Sequence, residues 1–330
     1  MQHSPSVQAS GSIRDRALDS GTSGSLGQPT RPDPVLGGLD RMLSGRVRLR
    51  FWGVRGTLPV PGSKSLRYGG NTSCVSLDFP EDRLFVFDAG SGIRELSDHL
   101  SARDGGSVEG KIFITHPHWD HINSIPFFAP LYRPGNAFEI LGAAHGKLTM
   151  RELVSAQMDG VYFPITIKEF GARVGFRNLK EGTFEVDGIQ VKTMRLAHPG
   201  FCLGYRIDHD GRSICYVTDN ELPPPSSELY SKEYVLRLAD FVRDADALIT
   251  DTTYTDSEYE AKQGWGHSCV SQVIDLVDRA DVKTLYIYHH DPSQTDDDID
   301  QKLESCLQKL KERGSSAECR APRERDEFSI

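Results

Sequence analysis

Residues 111 to 121 read Lys-Ile-Phe-Ile-Thr-His-Pro-His-Trp-Asp-His, an apolar run that empties into His116, His118, Asp120 and His121. Three histidines and an aspartate within six residues would repel on protonation and lose hydration on burial unless a cation organised them. Neutral imidazole suits zinc, iron, nickel or copper, and the added carboxylate fits a borderline-hard divalent ion. The spacing has its own geometry. His116 and His118 leave a strand end on one side, while Asp120 and His121, one turn on, can face a second ion. Two ions ~3.5 to 4 Å apart would share a hydroxide nucleophile and clamp an in-line displacement at phosphorus or carbon.

Further ligands must come from elsewhere, and three candidates stand at strand ends. His198 follows the run Val191 to Leu196, Asp219 follows Ile214 to Thr218, and His289 follows Leu285 to Tyr288, with His290 as a competitor for that last position. Singly, each also reads as a turn or capping residue. Beside the histidine cluster they read as metal ligands.

The elements that must position these residues are short. Alternation of Val47, Leu49 and Phe51 with Arg46, Arg48 and Arg50 predicts a half-buried strand. Further strands are expected at Cys74 to Phe79, Leu84 to Asp88, Lys111 to Thr115, Phe138 to Leu141, Ile189 to Leu196, Gly204 to Asp208, Ser213 to Thr218, Ala247 to Thr250 and Thr284 to His289. Apolar residues at three and four spacing predict helices over Gly92 to Ser101, Met150 to Met158, Glu233 to Ala245, Ser268 to Arg279 and Asp296 to Lys311. Mixed in this way, they suggest an α/β protein with two sheets and helices packed outside.

Composition bounds the rest. The 330 residues are 38% hydrophobic and 26% charged, within the range of ordinary globular chains. Residues 1 to 34 hold fifteen Gly, Ser or Pro and no periodicity, so residues 1–45 are expected to be a disordered tail and 46–330 the folded domain. The six cysteines are scattered without a close pair, which leaves buried thiols rather than a zinc ribbon or redox pair. A net charge of −9 argues against a sequence-independent grip on large nucleic acid. No run approaches the ~18 to 20 apolar residues of a membrane span and no secretion signal opens the chain, so a cytoplasmic protein without membrane contact is expected.

His116-Pro-His118-Trp-Asp120-His121, followed by His198, Asp219 and His289 in that order, resembles the metallo-β-lactamase superfamily over residues 46 to 330. Gly266-His267-Ser268 opening a helix is similar to the Gly-His-Ser-Thr segment of tRNase Z and the cyclic phosphodiesterase relatives, where the matching histidine contacts the scissile phosphate. Simple β-lactamases lack this element. The resemblance implies a four-layered αββα sandwich with the metals at one edge of the two sheets. It implies two divalent ions, zinc first with manganese or iron as alternatives. His116, His118 and His198 would hold one, Asp120, His121 and His289 the other, and Asp219 would bridge both.

The glycine-rich stretch from Gly53 to Ser73 resembles the opening of the phosphodiesterase branch, which makes Asn71 and Arg67 candidate substrate contacts. Asp88 reads as scaffolding beneath the histidine loop, Asp251 as a cap or a carboxylate that orients a ligand histidine, and Asp296 to Asp298 as a helix N-terminus without chemistry.

The expected activity is therefore phosphodiester hydrolysis, with His267 stabilising charge or protonating the leaving oxygen and Asp120 holding the nucleophile's proton. A long basic arm for tRNA is missing, so a small or cyclic nucleotide-type diester is expected. Alternatives are a lactone, thioester or β-lactam hydrolase on the same centre, or a di-iron redox or sensing protein. Dimers are common among such relatives, which makes a homodimer an expectation by resemblance alone.

Overall fold

The computed structural model describes residues 46–102 and 106–330. The expected disordered tail, residues 1–45, lies outside the described residues. Chain order begins β1 (Arg48–Gly53), β2 (Cys74–Asp78), β3 (Leu84–Phe87), α1 (Ile93–Ser101), β4 (Glu109–Ile114), α2 (Trp119–Ile122) and β5 (Ala137–Ala143). It continues through α3 (Met150–Gln157), β6 (Arg173–Leu179), β7 (Gly182–Val186), β8 (Ile189–Arg195), β9 (Leu203–His209) and β10 (Arg212–Val217). The last part holds α4 (Lys232–Phe241), β11 (Ala247–Asp251), α5 (Asp256–Tyr259), α6 (Val270–Arg279), β12 (Thr284–Tyr288), α7 (Asp296–Glu312), β13 (Glu318–Arg320) and β14 (Glu327–Ser329).

The strands form two seven-stranded sheets, β14-β1-β2-β3-β4-β5-β6 and β13-β12-β11-β10-β9-β8-β7. In the first, β3 to β6 run parallel and β1, β2 and β14 antiparallel; in the second, β10 to β13 run parallel and β7 to β9 antiparallel. The layer between the sheets is apolar and aromatic: Leu49, Phe51, Leu77, Phe85 and Phe113 face Tyr205, Ile214, Tyr216, Ile249 and Tyr288. Alternation explains the other faces. Trp52, Val86 and Ile112 turn outward to meet Leu96 and Leu100 of α1 and Val154 of α3. Cys215, Leu248 and Ile287 meet Leu238 of α4, Ile274 of α6 and Leu310 of α7. Helix, sheet, sheet, helix is the expected αββα sandwich.

Every strand expected from the sequence is present, with ends shifted by a residue or two. The helix expected from Ser268 begins at Val270, because Cys269 and Gln272 cap it and Ser268 is drawn off to the Asn220 carbonyl at 2.6 Å. The helix expected to run to Ala245 ends at Phe241 and continues as a turn. β6, β7, β13 and β14 were not expected; all four are edge strands of the two sheets.

What the fold supplies to function is a row of strand ends. β3, β4, β8, β10, β11 and β12 are followed at their carboxyl ends by Asp88, Thr115-His116, His198, Asp219, Thr252-Thr253 and His289, respectively. Hydrogen bonds tie the sheets together at that edge: Leu203 N–H to the Thr115 carbonyl at 3.0 Å, the Tyr205 hydroxyl to the Ile114 carbonyl at 2.6 Å, and the Tyr216 hydroxyl to Asp88 Oδ2 at 3.0 Å.

Candidate metal centre

Asp219 closes β10 in the left-handed region at φ 55°, His289 closes β12 at φ 60°, and Asp88 closes β3 at φ 59°. Such a conformation costs a non-glycine residue roughly 1–3 kcal/mol and persists where surrounding contacts fix it. Here it turns each side chain back across the strand ends toward a common point. Asp219 Oδ1 lies 3.3 Å from His121 Nε2 and 3.1 Å from His289 Nε2. Its Oδ2 lies 3.6 Å from His116 Nε2 and 3.7 Å from His198 Nε2. One carboxylate thus faces two pairs of imidazoles with different oxygens. Asp120 Oδ2 completes the first pair, 3.2 Å from His121 Nε2 and 3.1 Å from His289 Nε2. His118 Nδ1 completes the second, 3.1 Å from His198 Nε2.

The far side of four of the five rings is held. His121 Nδ1 donates to Asp88 Oδ2 at 2.7 Å, and His198 Nδ1 donates to the Gly266 carbonyl at 3.0 Å. Thr115 Oγ1 gives its own proton to Asp88 and so accepts from His116 Nδ1 at 3.1 Å. Thr253 Oγ1 likewise donates to Asp251 at 2.6 Å and accepts from His289 Nδ1 at 3.2 Å. Four rings therefore turn Nε2 to the shared space, the orientation that a metal requires. Burial would lower the His121 pKa, but the carboxylates of Asp120, Asp219 and Asp88 outweigh it and raise it well above the usual range, so these groups call for a positive charge there.

These observations test whether the residues fit an ion. His116 Nε2 and His121 Nε2 are buried without a hydrogen-bond partner, which is costly in a site that nothing fills. Burial, reinforced by neighbouring histidines, holds the His116 and His118 imidazoles below their usual range and hence neutral. For Asp219 burial opposes ionisation, but His289 and His121 outweigh it and keep the carboxyl well below the usual range. Ligand atoms of His116, His118, His198 and Asp219 lie within 4.8 Å of one another, as do those of Asp120, His121, Asp219 and His289. The donor sets, three nitrogens with an oxygen and two nitrogens with two oxygens, suit borderline divalent ions.

His267 stands beside this centre. Its ring stacks on His289 at 5.0 Å and lies 5.3 Å from His198. Nδ1 donates to Asp251 Oδ2 at 2.7 Å. Burial alone would lower its pKa, but the Asp251 carboxylate outweighs that and pushes it up to about 9. The pair leaves Nε2 as a proton donor at neutral pH.

All seven residues expected to ligate are thus brought together, with His267 adjacent. His290 is turned away: its buried ring lies against Tyr68 at 6.2 Å and its backbone pairs with Val54 and Gly56. Arg67 and Asn71 are engaged elsewhere. Arg67 pairs with Asp297 and, at 2.9 Å, Asp300 of α7. Asn71 donates through Nδ2 to Glu324 at 2.9 Å and accepts from Ser91 through Oδ1 at 3.0 Å. The long polar side chains of this loop are spent on holding it to α7 and the C-terminal segment, rather than being directed to the histidines. Asp88 lies beneath the histidine loop, where the sequence placed it; Asp251, expected to cap or to orient a ligand histidine, contacts His267 directly and reaches His289 only through Thr253.

Several supporting residues escaped sequence reading. The Thr57 N–H donates to Asp120 Oδ2 at 2.7 Å, from a residue at φ 65°. A Cβ on Gly56 would lie 2.2 Å from the His289 ring, and one on Gly266 2.4 Å from His198 Nδ1. Glu221, buried, accepts from the Gly264 and Gly266 amides at 2.7 and 2.8 Å and from the Tyr259 hydroxyl. The run Gly264-Trp265-Gly266 was the available signal for that clamp.

Comparison with known proteins agrees with this fold. Residues 83–290 match the family model of the beta-lactamase superfamily domain. Ribonuclease Z of Lactococcus lactis subsp. cremoris strain SK11 is 28% identical over 278 residues, covering 66% of this chain and 83% of its own length. Yeast PDE1 superposes with a TM-score of 0.63 at 13% identity, over 86% of this chain and 99% of that one. A diphosphatase from the PhnP family superposes with a TM-score of 0.60 at 17% identity, over 86% and 98%.

Proposed function

Since the chain belongs to the beta-lactamase superfamily, with the fold of its hydrolases, we propose that it is a phosphodiesterase with a two-ion centre, acting on small or cyclic nucleotide-type diesters. The observation that carries this reading is the divided carboxylate of Asp219, one oxygen toward His121 and His289 and the other toward His116 and His198. In this reading His116, His118 and His198 would hold one ion, Asp120, His121 and His289 the other, and Asp219 would serve both, with zinc first among candidates. Such ions supply Lewis acidity at phosphoryl oxygens and make water nucleophilic near neutral pH.

The chain's own groups do the rest. The Asp120 carboxylate, fixed through Oδ2 by the Thr57 amide at 2.7 Å, would accept the proton of the attacking water on its other oxygen. His267, its proton retained by Asp251, donates from Nε2 to the departing oxygen or to charge growing on phosphorus. Arg67 and Asn71 enter as residues that fasten the loop carrying Thr57, through α7 and Glu324.

The named ribonuclease Z relatives support diester chemistry; the net charge of −9 favours a compact substrate over a long polyanion. The deciding experiment is a panel with metal-replete protein: 3′,5′- and 2′,3′-cyclic nucleotides, bis(p-nitrophenyl) phosphate and a precursor tRNA. Hydrolysis of a small diester with little RNA cleavage is expected. Faster cleavage of the RNA would overturn the substrate size, and turnover of no diester with both ions bound would overturn the reaction.

A further inference from the structure

Among its proposed ligands the metal centre is open on one side. His118 is exposed, whereas His116, Asp120, His121, Asp219 and His289 are buried. A substrate that reaches the centre therefore passes His118 and the partly buried His267.

Each of these two histidines has an exposed tryptophan within two residues. Trp119 follows His118 and starts α2, with 69% of its surface in solvent. Trp265 precedes His267 by two residues and is 61% exposed. Apolar surface of that size is costly in water, and neither indole sits on a loose segment. The Trp119 carbonyl is tied into α2 by the Asn123 amide at 2.8 Å. Trp265 stands at the tip of a turn between Gly264 at φ 83° and Gly266 at φ 90°, and the two oxygens of buried Glu221 bind the amides on either side of it. A buried carboxylate thus fixes the turn that carries the exposed Trp265. The third tryptophan, Trp52, is 4% exposed and belongs to the core.

We propose that Trp119 and Trp265 form a stacking rim at the mouth of the centre, which receives the nucleobase of a nucleotide-type phosphodiester. The proposal rests on the phosphodiesterase reading and adds to it the residues that would receive the base. An indole offers a flat, polarisable face suited to a base, and it does not discriminate sharply among bases. The ions and His267 would engage the phosphate, while the rim engages the base.

The test compares two diesters with the same leaving group, thymidine 5′-(p-nitrophenyl phosphate) and methyl p-nitrophenyl phosphate, in wild-type protein and the W119A, W265A, W119F and W265F variants. The ratio of kcat/KM for the thymidine ester over the methyl ester should fall about tenfold in each alanine variant, the scale of one base stacked on an aromatic side chain, chiefly through KM. Phenylalanine should restore most of it. Quenching of tryptophan fluorescence by thymidine 5′-monophosphate on zinc-loaded protein gives a readout independent of turnover, and its midpoint should move upward by a similar factor in W119A and W265A. Turnover of both esters with an unchanged ratio in the alanine variants would overturn the rim while leaving the phosphodiesterase reading intact. A quench that shifts as expected, with neither ester hydrolysed, would support the rim and overturn the reaction.

Discussion

The Asp251 carboxylate meets His267 Nδ1 at 2.7 Å and, through Oδ1, also accepts the hydroxyl of Thr253 whose oxygen faces His289. One buried carboxylate therefore sets both the proposed proton donor and a proposed ligand, from the end of β11.

His267→Ala should lower kcat for diesters by about 10²–10⁴, the usual yield of a positioned general acid. Metal content, read by atomic absorption, should remain near wild type, because His267 belongs to neither proposed ligand set. Asp251→Asn should lower kcat less and also weaken the second ion, since the substitution disturbs Thr253 behind His289. Equal loss of metal in both variants would contradict the separation of roles.

Asp219→Ala should reduce bound zinc well below that of His118→Ala. Asp219 faces both groups of imidazoles, while His118 belongs to one. Titration of each apo variant with zinc, followed by a chromophoric chelator, measures the stoichiometry. An Asp219 variant that keeps two ions at wild-type affinity would remove the basis for a bridged pair.

Gly266→Ala places a Cβ at φ 90° and 2.4 Å from His198 Nδ1, with Pro199 at 2.6 Å on the other side. Neither neighbour is the end of a flexible chain. His198 should be displaced, and by the usual scale of disturbed ligand support, zinc affinity and activity should fall about 10–100-fold. Chelator competition and kcat together check this, with circular dichroism to verify folding.

Lys302 of α7 is buried, its ammonium donating to the Thr253 carbonyl at 3.1 Å and to Gln294 Oε1 at 2.7 Å. Burial lowers its pKa from 10.5 to about 7. Between those values the unfolded chain binds more protons at this site than the folded one, so stability rises with pH across that window. Below pH 7 both forms are protonated and the contribution no longer changes. Lys302→Met removes the titration. The stability of wild type minus variant, from urea unfolding, should therefore increase from pH 7 to pH 10, by about 1 kcal/mol or more in total. A flat difference would contradict a buried, displaced ammonium.

The proposed ligands were legible because metal chemistry writes itself locally: His116 to His121 crowd one segment, and His198, Asp219 and His289 each follow an apolar strand that any sheet would end at its rim. The inner strands were legible for a related reason, since burial on both faces leaves continuous apolar runs such as Leu84–Phe87 and Leu285 to Tyr288. The four unexpected strands are the four sheet edges. β6, with Arg173, Arg177 and Asn178 in solvent, and the three-residue β13 and β14 bury too little to leave a pattern. Arg67 and Asn71 carried a substrate expectation because loop polar residues in a glycine-rich stretch resemble ligand contacts. Their partners, Asp297, Asp300 and Glu324, lie more than two hundred residues away and could be found only by folding. The Trp265 turn was hidden for the same reason, because its clamp, Glu221, lies 43 residues before Gly264 in the sequence.

The central claim is tested most directly by hydrolysis of bis(p-nitrophenyl) phosphate by zinc- and manganese-loaded protein, beside Asp120→Ala and His267→Ala variants of known metal content. The account predicts turnover by wild type, loss in both variants, and retention of metal in the His267 variant. Absence of turnover by wild-type protein carrying two ions would contradict it and shift the chemistry of this centre to carbon.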